Sequence, residues 1–206
     1  MTCYRTFFAS ANTINRFAIT SCVGNVRYRR TLSMVATTGQ TPKTLERTGS
    51  CACGNVQYKL HSDPMIVHAC HCADCQRHSG APFVVNAWTE EDNFELLQGQ
   101  LETSKLKSSG SNESFKICFC PTCSTALYSK YQAPKCVFVR VHTLDDPSKL
   151  SPDVHIWTRS KPDWLDLSFV PNDVPIFEEY YKMREVWKPE NVDRFKSLMP
   201  KHRVRK

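Results

Sequence analysis

The stretch HACHCADCQRHSG, residues 68–80, places Cys70, Cys72 and Cys75 within six positions, with His68, His71 and His78 close by. Thiols this dense serve either disulfides or a metal. Cysteines one residue apart are poorly placed to bridge each other. As soft donors able to converge at about 2.3 Å, they suit zinc rather than magnesium or calcium. Zinc takes four ligands, and this stretch offers three thiols. The rest of the chain has to be searched for the fourth.

The sequence holds eleven cysteines. Cys3 and Cys22 lie in the N-terminal segment, and eight of the other nine form three clusters: Cys51 and Cys53, the Cys70–Cys75 group, and Cys118, Cys120 and Cys123. A disulfide framework serves oxidising compartments and chains too small for a core. This chain is longer than that and shows no secretory h-region, so metal is the expectation. Residues one position apart on a strand point to one face, so Cys51 and Cys53 can reach one ion. The tight C-x-x-C turn of Cys120 and Cys123 can do the same. Together these four would make a closed structural zinc site tying two distant segments, a large share of the folding energy.

For Cys70, Cys72 and Cys75 two arrangements stand. An open fourth position marks a catalytic or ligand-binding zinc. Alternatively Cys118, which should share a strand face with Cys120, completes a second closed site. His68, His71 and His78 are further candidate ligands. Spacing alone leaves both arrangements standing. The remaining Cys136 sits in KCVFVRV and reads as a buried core thiol.

At 206 residues the chain is long enough for one ordinary domain and contains no run of about 18 apolar residues. No membrane-spanning helix is expected. Its formal charge is +7, yet residues 1–45 carry six basic side chains and no acidic one. From residue 46 onward 21 basic face 20 acidic side chains, a net of +1. A near-neutral folded part argues against nucleic-acid binding. The Arg-, Ser- and Thr-rich, acid-free segment YRTFFASANTINRFAITSCVGNVRYRRTLS has the composition of a mitochondrial presequence. Initiation at Met34 would remove it and give a cytosolic form. The expected organisation is a presequence and linker over 1–44, a zinc-binding domain over 45–175, and a helical, basic extension over 176–206.

Four motifs, GSCACGNVQY (49–58), CHCADCQRHSGAPF (70–83), FCPTCSTAL (119–127) and HTLDDPSKLSPDVHIW (142–157), resemble the glutathione-dependent formaldehyde-activating enzyme family, which includes centromere protein V. The resemblance runs from about Arg47 to about Trp164. It implies a mainly β fold, a β-tent of small antiparallel sheets folded over a structural zinc, here followed by the short helical extension. It implies two Zn2+ ions per chain: one held by Cys51, Cys53, Cys120 and Cys123, the other by Cys70, Cys72 and Cys75 with its fourth position open to a thiol such as glutathione. Cys118 matches no family cysteine. Two departures stand out. Ser124 replaces the usual Gly in a turn that calls for positive φ, and His142 stands where a Gly often precedes Thr-Leu-Asp.

Elsewhere FVVNAW (83–88) and KCVFVRV (135–141) read as strands, and Leu144–Pro147 as a turn. Trp157 and Trp164 are expected in the core or a pocket wall. IFEEYYKMREVW and ENVDRFKSL have helical spacing, separated by Pro189. Arg77, His78 and Ser79 are candidates for orienting a substrate carboxylate or moving a proton; a solvated turn is the plain alternative. The function expected is a zinc-dependent carbon–sulfur lyase joining or splitting a small thiol, such as glutathione, and a small carbonyl compound, with S-(hydroxymethyl)glutathione as the adduct. Two alternatives are a non-catalytic adduct-binding zinc protein and a zinc-stapled interaction module.

Overall fold

The computed structural model describes residues 46–132 and 134–199, all within one compact unit. The presequence expected over residues 1–44 and the basic tail at 201–206 lie outside the described residues. Ten strands form two sheets. The smaller orders β1 (Arg47–Ser50), β2 (Gln57–Leu60) and β5 (Phe94–Gln98). The larger has seven strands in the order β10-β3-β4-β9-β8-β7-β6, made by β3 (Ile66–Cys70), β4 (Val84–Glu90), β6 (Glu102–Lys107), β7 (Ser114–Phe119), β8 (Ala126–Tyr131), β9 (Cys136–Arg140) and β10 (Val154–Ile156). The fold is mainly β, as expected. One sheet is larger than the small antiparallel sheets expected, and within it β10 pairs parallel to β3.

Strand alternation sorts the side chains of the large sheet into two sets. Val67, Val85, Ala87, Val137 and Val139 turn to one side and pack with Tyr58 and Leu60 of the small sheet. Ile66, Cys70, Phe138 and Ile156 turn to the other side, where Tyr181, Trp187 and Val192 of the C-terminal segment cover them. Both faces are therefore buried, and all five residues of β3 are buried. This explains why β3 reads IVHAC, with no exposed polar positions in alternation.

The C-terminal segment departs from its helical spacing. Only Met183–Val186 (α2) and Pro189–Leu198 (α3) are helical. Residues 176–180 form an isolated bridge at Ile176 and then bends rather than a helix, because β10 and the turn after it take their backbone groups: Phe177 donates to the His155 carbonyl, and Trp157 and Thr158 donate to the carbonyls of Glu179 and Phe177. A sheet edge outcompetes local helix propensity here. α3 is held by Arg194, whose Nε and Nη2 donate to the two carboxylate oxygens of Glu90 at 2.7 Å each. Bidentate geometry of this kind is the stronger form of ion pair. Trp164, expected in the core or a pocket wall, is instead 73% exposed.

Candidate metal centres

Two turns of the same kind build the four-cysteine group. In the β1–β2 turn, Cys51 N–H donates to the Val56 carbonyl and Gly54 adopts φ 76°. In the β7–β8 turn, Cys120 N–H donates to the Thr125 carbonyl and Ser124 adopts φ 59°. The positive φ expected at Ser124 is present without the glycine that favours it. The Sγ atoms of Cys51, Cys53, Cys120 and Cys123 all lie within 4.8 Å of one another. Cys51 and Cys53 sulfurs are 3.4 Å apart, and those of Cys53 and Cys120 3.8 Å. Tetrahedral zinc with 2.3 Å bonds requires roughly 3.8 Å between sulfurs. The group therefore fits such an ion, and one turn comes from each sheet. Thr125 joins the two turns, accepting from Ala52 N–H and lying 3.1 Å from Cys123 Sγ. That hydroxyl, with the Thr125 backbone, pulls the Cys123 thiol down to about 5.

Cys70, Cys72 and Cys75 form the second group, their sulfurs also mutually within 4.8 Å. Cys70 ends the buried strand β3. Cys72 caps the helix α1 (Ala73–Ser79), its Sγ accepting from Cys75 N–H at 3.4 Å. Gly80, in the left-handed region, ends that helix within two turns. Gln76 fastens it, donating to the carbonyls of His71 and Ser160. A strand end, a cap and a first helical turn thus focus three thiols on one point. Crowding separates their protonation. Hydrogen bonds from Cys70 and Cys75 push Cys72 down to about 2. Cys70 rises well above the ordinary thiol value because Cys72 and Cys75 favour its protonated form and burial adds to this. Cys75, pulled down by Cys70, is still held up at about 11 by Cys72 and by burial. The group carries one ready thiolate.

Among the described residues no fourth ligand joins this group. Cys118 belongs to neither group. It sits opposite Tyr128 in the β7–β8 register, and Tyr128 stacks edge-on against Phe94 of the small sheet. That is the other side of the large sheet from Cys70. The pairing is irregular beside it, where β8 carries one extra residue, Leu127, and Cys120 lies past the end of β7 in the turn, with the four-cysteine group. Cys118 is 1% exposed and burial raises its pKa; Cys136, also 1% exposed, is the core thiol expected. The histidines have other partners. His68 Nε2 is 2.6 Å from the Tyr181 hydroxyl, and burial holds His68 neutral with its pKa down to about 3. His71 Nε2 is 3.0 Å from His155 Nδ1, inside the protein.

A cavity of about 700 Å³ opens beside Cys70, Cys72 and Cys75. Its floor is a row across three strands, His68, Asn86 and Arg140, which are successive register partners. Asn86 accepts a hydrogen bond from Arg140 Nη1. Trp88, Phe138, Tyr131 and Trp157 supply apolar walls. Trp157 holds φ 60°, an uncommon conformation for a bulky residue. Of the three residues singled out after the cysteines, His78 lines the cavity, with its ring against Phe115. Arg77 is exposed on α1, and Ser79 Oγ donates to the Cys75 carbonyl at 2.8 Å. Asn86, Arg140 and Tyr180 went unnoticed in the sequence. The polar position inside FVVNAW was the available signal for Asn86, since a buried strand rarely carries an amide without purpose.

A comparison with curated protein sequences gives no match. Among solved structures, a Rhodobacter sphaeroides protein is similar at 15% identity over 63% of this chain and 98% of that chain, with a TM-score of 0.36. The family model described as glutathione-dependent formaldehyde-activating enzyme matches residues 46–160, more than half of the sequence and the whole span holding both cysteine groups. The chain belongs to the glutathione-dependent formaldehyde-activating enzyme family.

Proposed function

We propose that this protein is a zinc-dependent carbon–sulfur lyase acting on a thiol–carbonyl adduct such as S-(hydroxymethyl)glutathione. In this reading Cys51, Cys53, Cys120 and Cys123 hold a structural zinc, and Cys70, Cys72 and Cys75 hold the working one. The observation that carries it is the contrast between the two groups: four sulfurs closed on one another, against three sulfurs facing a 700 Å³ cavity. Bound zinc with one open position supplies a place where a thiol is held as its thiolate, together with a Lewis acid.

The chain's own residues do the rest. The aromatic side chains give the cavity an apolar wall beside the three cysteines. Cys70 on its buried strand and Cys72 at the helix cap fix where the reacting sulfur sits, supplying orientation. Joining thiol and carbonyl breaks one S–H bond and forms one C–S bond, and the proton ends on the former carbonyl oxygen. Splitting the adduct reverses each step. His78, at the cavity edge, would relay that proton. Residues 1–45 would address the enzyme to mitochondria.

The test is zinc stoichiometry with X-ray absorption, with and without glutathione, on the wild type and on Cys118→Ser. Two zincs per chain are expected, one of which gains a sulfur when glutathione is added, unchanged by the substitution. Rates of adduct formation and breakdown should exceed the spontaneous ones. Two closed four-sulfur sites, one of them lost in Cys118→Ser, would end the lyase reading. Tight glutathione binding without any rate increase would leave an adduct-binding protein in its place.

A further inference from the structure

The cavity is far larger than a one-carbon carbonyl compound needs, so most of it is shaped for the thiol partner. Trp88, Phe115, Tyr131, Phe138, Trp157 and Tyr180 give it an apolar wall, and two guanidinium groups, those of Arg140 and Arg159, line it together with the three cysteines. Arg140 ends β9 in the same row as His68 and Asn86. Asn86 is 7% exposed, and its Oδ1 accepts from Arg140 Nη1, which fixes the plane of the guanidinium. Arg140 has five N–H donors, and this is its one side-chain hydrogen bond among the described residues. There it takes part in no ion pair.

The other charges around the cavity are differently placed. Arg159 pairs with Glu179 and lies over the Trp157 ring. Asp74 accepts from both the N–H and the hydroxyl of Ser109. Glu113 is exposed at the rim. A half-buried guanidinium with free donors and apolar neighbours is an anion-binding group.

We propose that Arg140 is a specificity-determining residue: it receives the carboxylate of a thiol whose sulfur occupies the open position beside Cys70, Cys72 and Cys75, so that the site selects anionic thiols over neutral ones of the same shape. The inference rests on the open-site reading given under Proposed function. A carboxylate meets the fork of Arg140 with two charge-assisted hydrogen bonds, whereas a neutral thiol leaves the guanidinium unpaired. The expected preference is about ten- to hundredfold.

The full-length protein loaded with cobalt(II) provides the test, because a sulfur ligand added to cobalt changes its visible absorption. Mercaptopropionate is titrated against its neutral, near-isosteric amide, mercaptopropionamide. The wild type should favour the carboxylate by about ten- to hundredfold. Arg140→Gln should abolish the preference while still binding the amide, which also reports that cobalt and fold are intact. Arg140→Lys should keep part of it. Arg140→Met replaces the glutamine variant if the latter does not hold cobalt. Equal affinities in the wild type would overturn the proposal. So would a preference that survives Arg140→Gln, or loss of both thiols from a cobalt-loaded Arg140→Gln. No spectral change with either thiol in the wild type would instead overturn the open-site reading itself, and this inference with it.

Discussion

The hydroxyl of Tyr181 lies 2.6 Å from Nε2 of His68, and the same hydroxyl accepts from Trp187 Nε1 at 2.6 Å. Tyr181 lies beyond the 46–160 family match, while His68 stands two residues before Cys70 on β3. The C-terminal segment is thereby tied to the strand that carries the first thiol of the three-cysteine group. Its neighbour Tyr180 lines the cavity and stacks on Tyr181 with ring centroids 4.9 Å apart.

Tyr181→Phe removes one oxygen and leaves two buried polar groups, His68 Nε2 and Trp187 Nε1, without their partner. Unsatisfied buried groups cost about 1–3 kcal/mol each. The metal-loaded variant is expected to be less stable by about 2 kcal/mol or more, read as a lower denaturation midpoint with unchanged slope. An unchanged midpoint would show that the Tyr181 hydroxyl does not hold the segment in place.

Metal binding at Cys70, Cys72 and Cys75 should release protons. Cys72 is already a thiolate, with its pKa down to about 2, whereas Cys75 at about 11 and Cys70 well above the ordinary thiol value are protonated at neutral pH. Zinc takes thiolates, so two protons leave, and affinity rises with pH by about tenfold per unit for each. Calorimetry in buffers of different ionisation enthalpy counts them. The difference between the wild type and the variant with all three cysteines changed to serine isolates this site. Release of none or of three would contradict the protonation pattern.

Ser124 holds φ 59° in the turn of the four-cysteine group. A left-handed conformation costs a residue with a Cβ roughly 1–2 kcal/mol, partly offset by the extra freedom glycine has when unfolded. Ser124→Gly is expected to stabilise the metal-loaded protein by about 0.5–1 kcal/mol, seen as a higher Tm with unchanged metal content. A lower Tm would mean that the serine side chain contributes more than its backbone costs.

Residues 1–45 fused to a fluorescent protein are expected to accumulate in mitochondria, and a fusion beginning at Met34 to remain cytosolic. The measurement is co-localisation in living cells. A diffuse signal from the longer fusion would remove the targeting role from this segment.

Much of the site was legible because metal ligation leaves a local mark. C-x-C and C-x-x-C spacings place sulfurs on one strand face or around one turn, so Cys51, Cys53, Cys120 and Cys123 could be grouped before any coordinates. The positive φ at residue 124 followed from the family resemblance, which puts a glycine at that position. The non-helical path of 176–180 was not, because Ile-Phe-Glu-Glu-Tyr has helical spacing and yields only to hydrogen-bond partners offered by β10 and the turn after it. The misplacement of Trp164 has a similar origin: hydrophobicity argues for burial but says nothing about whether a neighbouring surface exists to cover the ring.

By itself the sequence determined the three cysteine clusters and, through four motifs, the resemblance to the family and the mainly β fold it implies, since each motif depends on residue types at short separations. Only the tertiary structure decided that Cys118 faces away from Cys70, because its side of the sheet follows from the register across β8, β9, β4 and β3, which no spacing shows. It alone decided that His68, Asn86 and Arg140 form one row, because strand register joins residues far apart in the chain. The chemistry of the metal ligands is local, whereas the shape and charge of the cavity they face are set by packing between distant segments.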